Sequence, residues 1–177
     1  MNKDGDKDVK LLGRWMGGPW PYVGLFGFLL FTLGGMLIFR PGAWSERTDL
    51  ALLADNPRVV ALGENIYARA CASCHGEDLE GQANWRERLP NGRLPAPPHD
   101  ETGHTWHHPD EVLFRLTKDG PAAMAGGGYE SDMPAYADIL SDAEIIAVLS
   151  YIKSTWPEEI RTRHDQMNAR VEATNGR

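Results

Sequence analysis

Two cysteines and a histidine stand close together in the middle of the chain, in the run Cys71-Ala72-Ser73-Cys74-His75. Residues three apart on a helix lie on one face, so both thiols can reach the two vinyl groups of one haem and form thioether bonds. The histidine directly after the second thiol then falls under the iron as its proximal ligand. The pattern therefore predicts one covalently attached haem c, held by Cys71 and Cys74 and ligated by His75.

Three other uses of such a cysteine pair compete with haem attachment: a zinc half-site, a thioredoxin-like redox pair and a disulfide. A zinc site needs further Cys or His at matching spacing, and a redox pair is expected among alternating strands and helices. The sequence carries neither pattern. The chain has only these two cysteines, so a further structural disulfide within one chain is excluded.

The chain of 177 residues has a net charge of −7 that is unevenly distributed. Residues 50–157 carry eight Lys or Arg against sixteen Asp or Glu, a net charge of −8, whereas the residues on either side are close to neutral. A nucleic-acid-binding protein needs a basic face to meet the phosphates. The charge pattern therefore argues against a nucleic acid partner.

An uncharged stretch of twenty residues, 20–39, precedes the acidic part. At about 1.5 Å per helical residue it spans about 30 Å, the thickness of the hydrocarbon layer of a bilayer. A cleaved signal peptide would have a shorter apolar region that ends in a small-x-small site, whereas Ile38-Phe39-Arg40-Pro41 follows here. The stretch predicts a transmembrane helix, with aromatic residues placed like interfacial anchors at Trp15, Trp20, Tyr22 and Trp44.

The orientation of this helix follows from the haem motif, because c-type haem is attached in an oxidising compartment outside the cytoplasm. We expect residues 1–19 in the cytoplasm, the single span at 20–39, and a linker over 40–55. The haem domain then lies at the periplasmic face of a bacterial inner membrane.

Helix signals dominate the region after the linker. Asn56-Pro57 predicts an N-cap with proline at the first helical position, and Ser141 with Glu144 forms a capping box before the last apolar helix. A third helix is predicted over 109–118. No segment alternates like a strand, so the fold class is all-α, with a haem domain over 56–157. The polar tail, 158–177, is expected to be a frayed terminus, with a docking helix as the alternative.

The pattern Gly63-x-x-x-Tyr67-x-x-x-Cys71-x-x-Cys74-His75, together with Val148-x-x-Tyr151, resembles the class I c-type cytochromes. The resemblance implies that the glycine lets the first and last helices cross closely and that the two tyrosines pack there. Further phrases resemble bacterial membrane-anchored monohaem cytochromes c: Leu94-Pro-Ala-Pro-Pro-His-Asp, His104-Thr-Trp-His-His, Met133-Pro-Ala-Tyr136 and Tyr151-Ile-Lys-Ser-Thr-Trp156-Pro157.

The resemblance also implies a second axial ligand, a methionine from the loop before the last helix of the haem domain. Met124 and Met133 both lie there, and Met133 matches the family's Met-Pro-x-aromatic phrase. On the other side of the haem, the family's ligating histidine donates its second N–H to a proline carbonyl, which here is that of Pro97 or Pro98.

Four of the six histidines lie within ten positions: His99, His104, His107 and His108. Such a cluster raises the hypothesis of a second metal, copper or zinc, but its spacing matches no defined site. We favour capping of the third helix, hydrogen bonds to the haem propionates together with Trp106 and Arg93, or simple solvation.

These features predict an electron-transfer protein rather than an enzyme, since iron with two axial ligands has no open position for a substrate. Its expected partners are membrane-bound redox complexes of a respiratory chain. Two alternatives are a haem enzyme or sensor with a labile methionine ligand and a histidine-rich metal-handling protein.

Overall fold

The computed structural model describes residues 50–175, and every regular element in that range is a helix. The all-α prediction is confirmed for this part of the chain. The helices are α1 (Pro57–Ala70), α2 (Ala72–His75), a 3-10 turn (Thr105–His107), α3 (Asp110–Asp119), α4 (Pro121–Ala125), α5 (Asp142–Ser154) and α6 (Glu158–Asn175). Between residues 50 and 175 no helix combines the length and the apolar character that crossing a bilayer requires. The span predicted over 20–39 lies outside the described residues.

Both predicted helix starts are confirmed. The side-chain oxygen of Asn56 accepts from the backbone N–H groups of Arg58 and Val59, and proline occupies the first turn. Ser141 and Glu144 form the reciprocal capping box at the start of α5. These caps satisfy backbone donors that the first turn of a helix leaves without partners, so the two principal helices begin where the sequence specifies.

Helices α1 and α5 cross at Gly63. A methyl group built on Gly63 would lie 2.0 Å from the backbone oxygen of Ala147, so only glycine allows this approach. Beside the crossing, the rings of Tyr67 and Tyr151 pack with their centroids 5.5 Å apart. The close crossing and the packed tyrosines implied by the family resemblance are confirmed.

The hydrophobic core lies between α1, α3 and α5, and the motif turn packs on its edge. Its buried side chains include Ile66, Tyr67, Leu113, Phe114, Ile145, Val148, Leu149, Ile152 and Trp156. Cys71 and Ala72 pack against this cluster. The helix that precedes the two thiols is thereby fixed to the centre of the domain.

The tail is an ordered helix, α6, so the expectation of a frayed terminus is wrong for residues 158–175. His164 in α6 is only 1% exposed, and it donates from Nε2 to the backbone oxygen of His108 at 2.9 Å. Asn168, one turn later, accepts from the backbone N–H of Asp110. Polar contacts fix α6, which explains why the apolar spacing of the tail is faint.

Three buried titratable side chains and one exposed carboxylate meet at α6, and we call Asp110, Lys153, His164 and the exposed Asp165 the C-terminal charge cluster. Nζ of Lys153 lies 2.6 Å from Oδ1 of Asp165 and 4.0 Å from Oδ1 of Asp110. Lys153 and Asp110 are each 5% exposed. The cluster joins α3, α5 and α6.

The segment before α1 packs into the helical domain, although we predicted it as part of the linker. Leu52 is buried and its N–H donates to Oδ2 of Asp110 at 2.9 Å. The N–H of Leu53 donates to the Ser150 hydroxyl at 2.8 Å, and Arg161 pairs with Asp55. The domain therefore begins at or before residue 50, several residues earlier than the predicted boundary at 56.

Candidate haem-binding site

The two thiols and the histidine lie on one turn that continues from α1. The N–H of Cys71 donates to the oxygen of Tyr67 at 2.9 Å, and the N–H groups of Cys74 and His75 both donate to the oxygen of Cys71. Gly76, at φ +84°, ends this turn. Neither cysteine forms a disulfide; Cys71 is half-buried and Cys74 is exposed. The turn presents the three side chains as haem attachment requires.

The surroundings of the thiols do not suit the competing sites. Burial, reinforced by the neighbouring Cys74, raises the pKa of Cys71 to about 11. A redox-active cysteine needs a lowered pKa, because the thiolate is the reactive form. Across residues 50–175, no three His, Cys, Asp or Glu side chains come together as a set that could hold a metal ion. Thioether formation to haem remains the use that fits both cysteines.

His75 is buried and its ring is held by one backbone carbonyl. Nδ1 donates to the oxygen of Pro97 at 2.9 Å, so of the two candidate prolines the structure selects Pro97. This bond fixes the ring orientation and leaves Nε2 as the nitrogen that can ligate a metal. Burial lowers the pKa of His75, with the bond to Pro97 acting in the opposite direction. A neutral imidazole is the form that ligates iron.

The Pro97 carbonyl is positioned by the loop that follows the motif. A methyl group built on Gly81 would lie 2.4 Å from the nitrogen of Pro98, so the loop passes directly against the proline segment. Gly81 donates to the oxygen of His75 at 2.8 Å, and Gln82 donates to the oxygen of Ala96 at 2.9 Å. The segment directly after His75 therefore packs against the proline segment that carries the Pro97 carbonyl, and Gly81 allows this close approach.

Of the two methionines, only Met133 belongs to the group of half-buried apolar residues that pack against the core together with Cys71. Met124 lies half-buried in the short helix α4, ahead of three consecutive glycines. Tyr136, three residues after Met133, donates from its hydroxyl to the oxygen of Ala70 at 2.7 Å. This bond fixes the chain after Met133 to the end of α1, next to the thiols.

A family model described as cytochrome c matches residues 60–156, which include both thiols, His75, Pro97 and Met133. The chain belongs to the cytochrome c family. It is also similar to the cbb3-type cytochrome c oxidase subunit CcoP of Rubrivivax gelatinosus, with 36% identity over 53 residues. The similar segment covers 30% of this chain and 17% of that subunit. No solved structure matches this chain significantly.

Membership of the cytochrome c family implies a covalently bound haem c and electron transfer rather than substrate turnover. The residues present fit this group on their own chemistry. Two free thiols lie one turn apart, and the buried imidazole beside them has one nitrogen already fixed by a carbonyl. Thiols and imidazole together are what covalent attachment and axial ligation require.

His99 has a role in this cytochrome that the sequence did not indicate. Its ring stacks on that of His75, with centroids 4.0 Å apart and an interplanar angle of 20°. Nδ1 of His99 bonds to the Thr105 hydroxyl at 2.8 Å, and the His99 carbonyl accepts from the indole of Trp156 at 2.8 Å. Burial, with nearby His75 and His104, lowers the pKa of His99 well below its usual value. His99 is therefore a neutral support for the His75 ring.

Arg93 and Trp106, which we expect to hydrogen-bond the haem propionates, also have protein partners. The Arg93 guanidinium pairs with the carboxylates of Glu130 and Asp132. Nε1 of Trp106 bonds to the oxygen of Glu101 at 3.3 Å, and its ring stacks on His107 at 3.7 Å. Their contact with the propionates stays a prediction.

The other clustered histidines pack on aromatic rings rather than around one point. His104 stacks on Trp85 at a centroid distance of 5.3 Å, and His108 meets His104 edge-on at 5.5 Å. The carbonyl of His108 accepts from His164, so this backbone connects the 3-10 turn to α6. Partial burial lowers the pKa of both His104 and His108.

Proposed function

We propose that this chain is a membrane-tethered, monohaem class I cytochrome c that relays single electrons at the periplasmic face of a bacterial inner membrane. In this proposal Cys71 and Cys74 carry the haem, and His75 and Met133 are its axial ligands. The span over 20–39 anchors the chain, with residues 1–19 in the cytoplasm.

The observation that carries the proposal is the 2.9 Å bond from Nδ1 of His75 to the carbonyl of Pro97. The buried His164 makes a similar bond without ligating a metal, but His75 directly follows two free thiols at the spacing of haem attachment. In that setting the bond is the one that a metal-ligating histidine commonly makes through its second nitrogen. The bond leaves Nε2 as the nitrogen that would ligate the iron. It also increases the electron density of the ring, which makes the imidazole a better ligand.

When bound, the haem supplies a metal that changes oxidation state by one electron. The two thiols hold it covalently, so it is not lost when its charge changes. With His75 and Met133 as its two protein ligands, the iron would have no coordination position left for a substrate, which favours electron relay over catalysis. A thioether ligand stabilises the ferrous state and raises the potential.

The partners follow from charge and from the similar protein. The described domain lies within the strongly acidic part of the chain, so a docking partner is expected to present a basic patch. The similarity to a subunit of a cbb3-type cytochrome c oxidase supports a membrane-bound respiratory complex as donor or acceptor. A short connector to the membrane would keep the haem at high effective concentration near such partners.

Spectroscopy of the purified full-length protein tests this function. We expect one haem per chain that survives denaturation, a sulfur-to-iron charge-transfer band in the oxidised state, and little immediate reaction with cyanide or CO. Rapid and complete binding of CO by the reduced protein would instead support the haem enzyme or sensor. Metal analysis after chelation tests the metal-handling alternative.

A further inference from the structure

Arg93 connects two loops that lie far apart in sequence. Its Nε lies 3.3 Å from Oε2 of Glu130, and its Nη1 bonds to Oδ1 of Asp132. One guanidinium therefore holds two carboxylates of the loop that carries Met133. Glu130 lies three residues before Met133, and Asp132 lies directly before it. Arg88 from the same loop lies over the ring of Tyr129, 5.9 Å from its centroid.

The loop that carries these carboxylates has few other attachments. Gly126, Gly127 and Gly128 all have positive φ, and a methyl group built on any of them would meet nothing within 4 Å. The hydrogen bonds of Tyr129 to Gly126 and of Met133 to Ser131 are local to the loop. Local contacts cannot fix the loop against the rest of the domain, so its position depends on partners from other elements.

The chain is fixed again directly after Met133. The N–H of Tyr136 bonds to the oxygens of Thr117 and Lys118 at 3.1 Å each. The Tyr136 hydroxyl bonds to Ala70. Met133 thus lies between two attachment points, Tyr136 on one side and the Arg93 ion pairs on the other.

We propose that Arg93 is a positioning residue that latches the 126–133 loop through Glu130 and Asp132, and so keeps Met133 on the iron. This proposal rests on the proposed function, in which Met133 is the axial ligand. The latch is partly exposed, because the Arg93, Glu130 and Asp132 side chains are 36%, 67% and 56% exposed. Its loss should therefore have little effect on the folded domain and a larger effect on opening of the loop.

Cyanide binding to the oxidised, full-length holoprotein measures this opening, because cyanide reaches the iron only when methionine leaves. We expect Arg93→Gln to bind cyanide about fivefold faster than the wild type, which corresponds to about 1 kcal/mol. The Glu130→Gln/Asp132→Asn variant removes the two carboxylates and keeps Arg93, and it should show the same increase in the rate of cyanide binding. Combining all three changes should add nothing further, because the same contacts are already lost. High salt should accelerate the wild type and leave Arg93→Gln unchanged.

Arg69→Gln is the matched control, because Arg69 makes a similar surface pair with Glu144 at 3.1 Å, between α1 and α5. Its cyanide rate should equal that of the wild type. If Arg93→Gln and Glu130→Gln/Asp132→Asn both bind cyanide at the wild-type rate, the latch proposal is wrong. A changed potential in Arg93→Gln with an unchanged cyanide rate would instead indicate a propionate contact and also overturn it. Met133→Ala separates the two proposals: if the sulfur-to-iron band persists in that variant, the ligand assignment fails, whatever the latch variants do.

Discussion

Nε2 of His164 lies 3.6 Å from Oδ1 of Asp110, and both side chains are buried. His164 uses its Nε2 hydrogen to bond the carbonyl of His108, so it does not fully satisfy this carboxylate oxygen. Oδ1 of Asp110 has no hydrogen-bond partner among residues 50–175. The other oxygen, Oδ2, accepts from the N–H of Leu52, but a buried carboxylate with one oxygen unbonded is still costly. Asp110 therefore depends on the positive charge of Lys153 4.0 Å away.

Replacing Lys153 by Ala should therefore be strongly destabilising. The change removes the charge that compensates Asp110 while leaving the carboxylate buried, which should lower the free energy of unfolding by about 3 kcal/mol. Lys118→Ala is the control, because Lys118 pairs with Asp142 at 2.7 Å on the surface. Its loss should cost about 1 kcal/mol or less. Urea unfolding of the holoproteins measures both changes, and equal losses would contradict the importance of the buried charge.

The stability of the domain should decrease in mild acid partly through His164. Burial and the Lys153 ammonium lower the pKa of His164, with Asp110 opposing them. A lowered pKa means that the folded state binds the proton less readily than the unfolded state does. The contribution of His164 to the free energy of unfolding is therefore fully present above the pKa of histidine in the unfolded chain, about 6.5. It is lost as the pH falls below that value.

His164→Gln measures this contribution, because glutamine cannot take up the proton. The free energy of unfolding should fall less between pH 7 and pH 5 in the variant than in the wild type. His99, His104 and His108 also have lowered pKa values, so some acid dependence should remain in the variant. An identical pH dependence in both proteins would show that the pKa of His164 is the same in the folded and unfolded states, and would contradict the prediction.

Local sequence signals predicted the helices of this fold, but they did not predict its long-range polar contacts. The caps at Asn56 and Ser141 act within three residues, so the starts of α1 and α5 are readable from the sequence. The choice between Pro97 and Pro98 depends on the path of a loop that no local pattern encodes. The two ion-pair partners of Arg93 likewise come from a loop 37 and 39 residues later, a separation that no local pattern encodes.

The order of α6 was missed for a similar reason. Apolar periodicity is the usual signal for a packed helix, and α6 is largely polar. Its attachment uses His164, Asn168 and Asp165, residue types that normally indicate solvent. The stacking of His99 on His75 is a further contact, between a loop and the short helix α2, and only the folded chain reveals it.

Met133→Ala should abolish the sulfur-to-iron charge-transfer band of the oxidised protein and lower its reduction potential, because the thioether that favours ferrous iron is lost. Met124→Ala is the matched control in the same part of the chain and should change neither property. Visible spectra and a redox titration of the two purified variants measure both effects. The opposite result would assign the ligand to Met124.

Tethering should make electron transfer in membranes less sensitive to salt than transfer by a soluble form that begins at Leu50. The soluble form keeps Leu52 and the contacts of Leu52 and Leu53 with Asp110 and Ser150, so its fold should be preserved. An acidic domain in solution must find a basic partner through an attraction that salt screens. Its oxidation rate should fall about tenfold or more between low and high salt.

The tethered chain is already near its partner, so its effective concentration does not depend on that attraction. Its rate should change much less across the same salt series. A membrane-impermeant label applied to spheroplasts should react with the haem domain and not with the N-terminus. Recovery of the haem domain as a soluble periplasmic protein that lacks residues 1–43 would contradict the anchor. Equal salt dependence of the two forms would remove the tethering argument, because docking would then limit the rate even when the haem is held at the membrane.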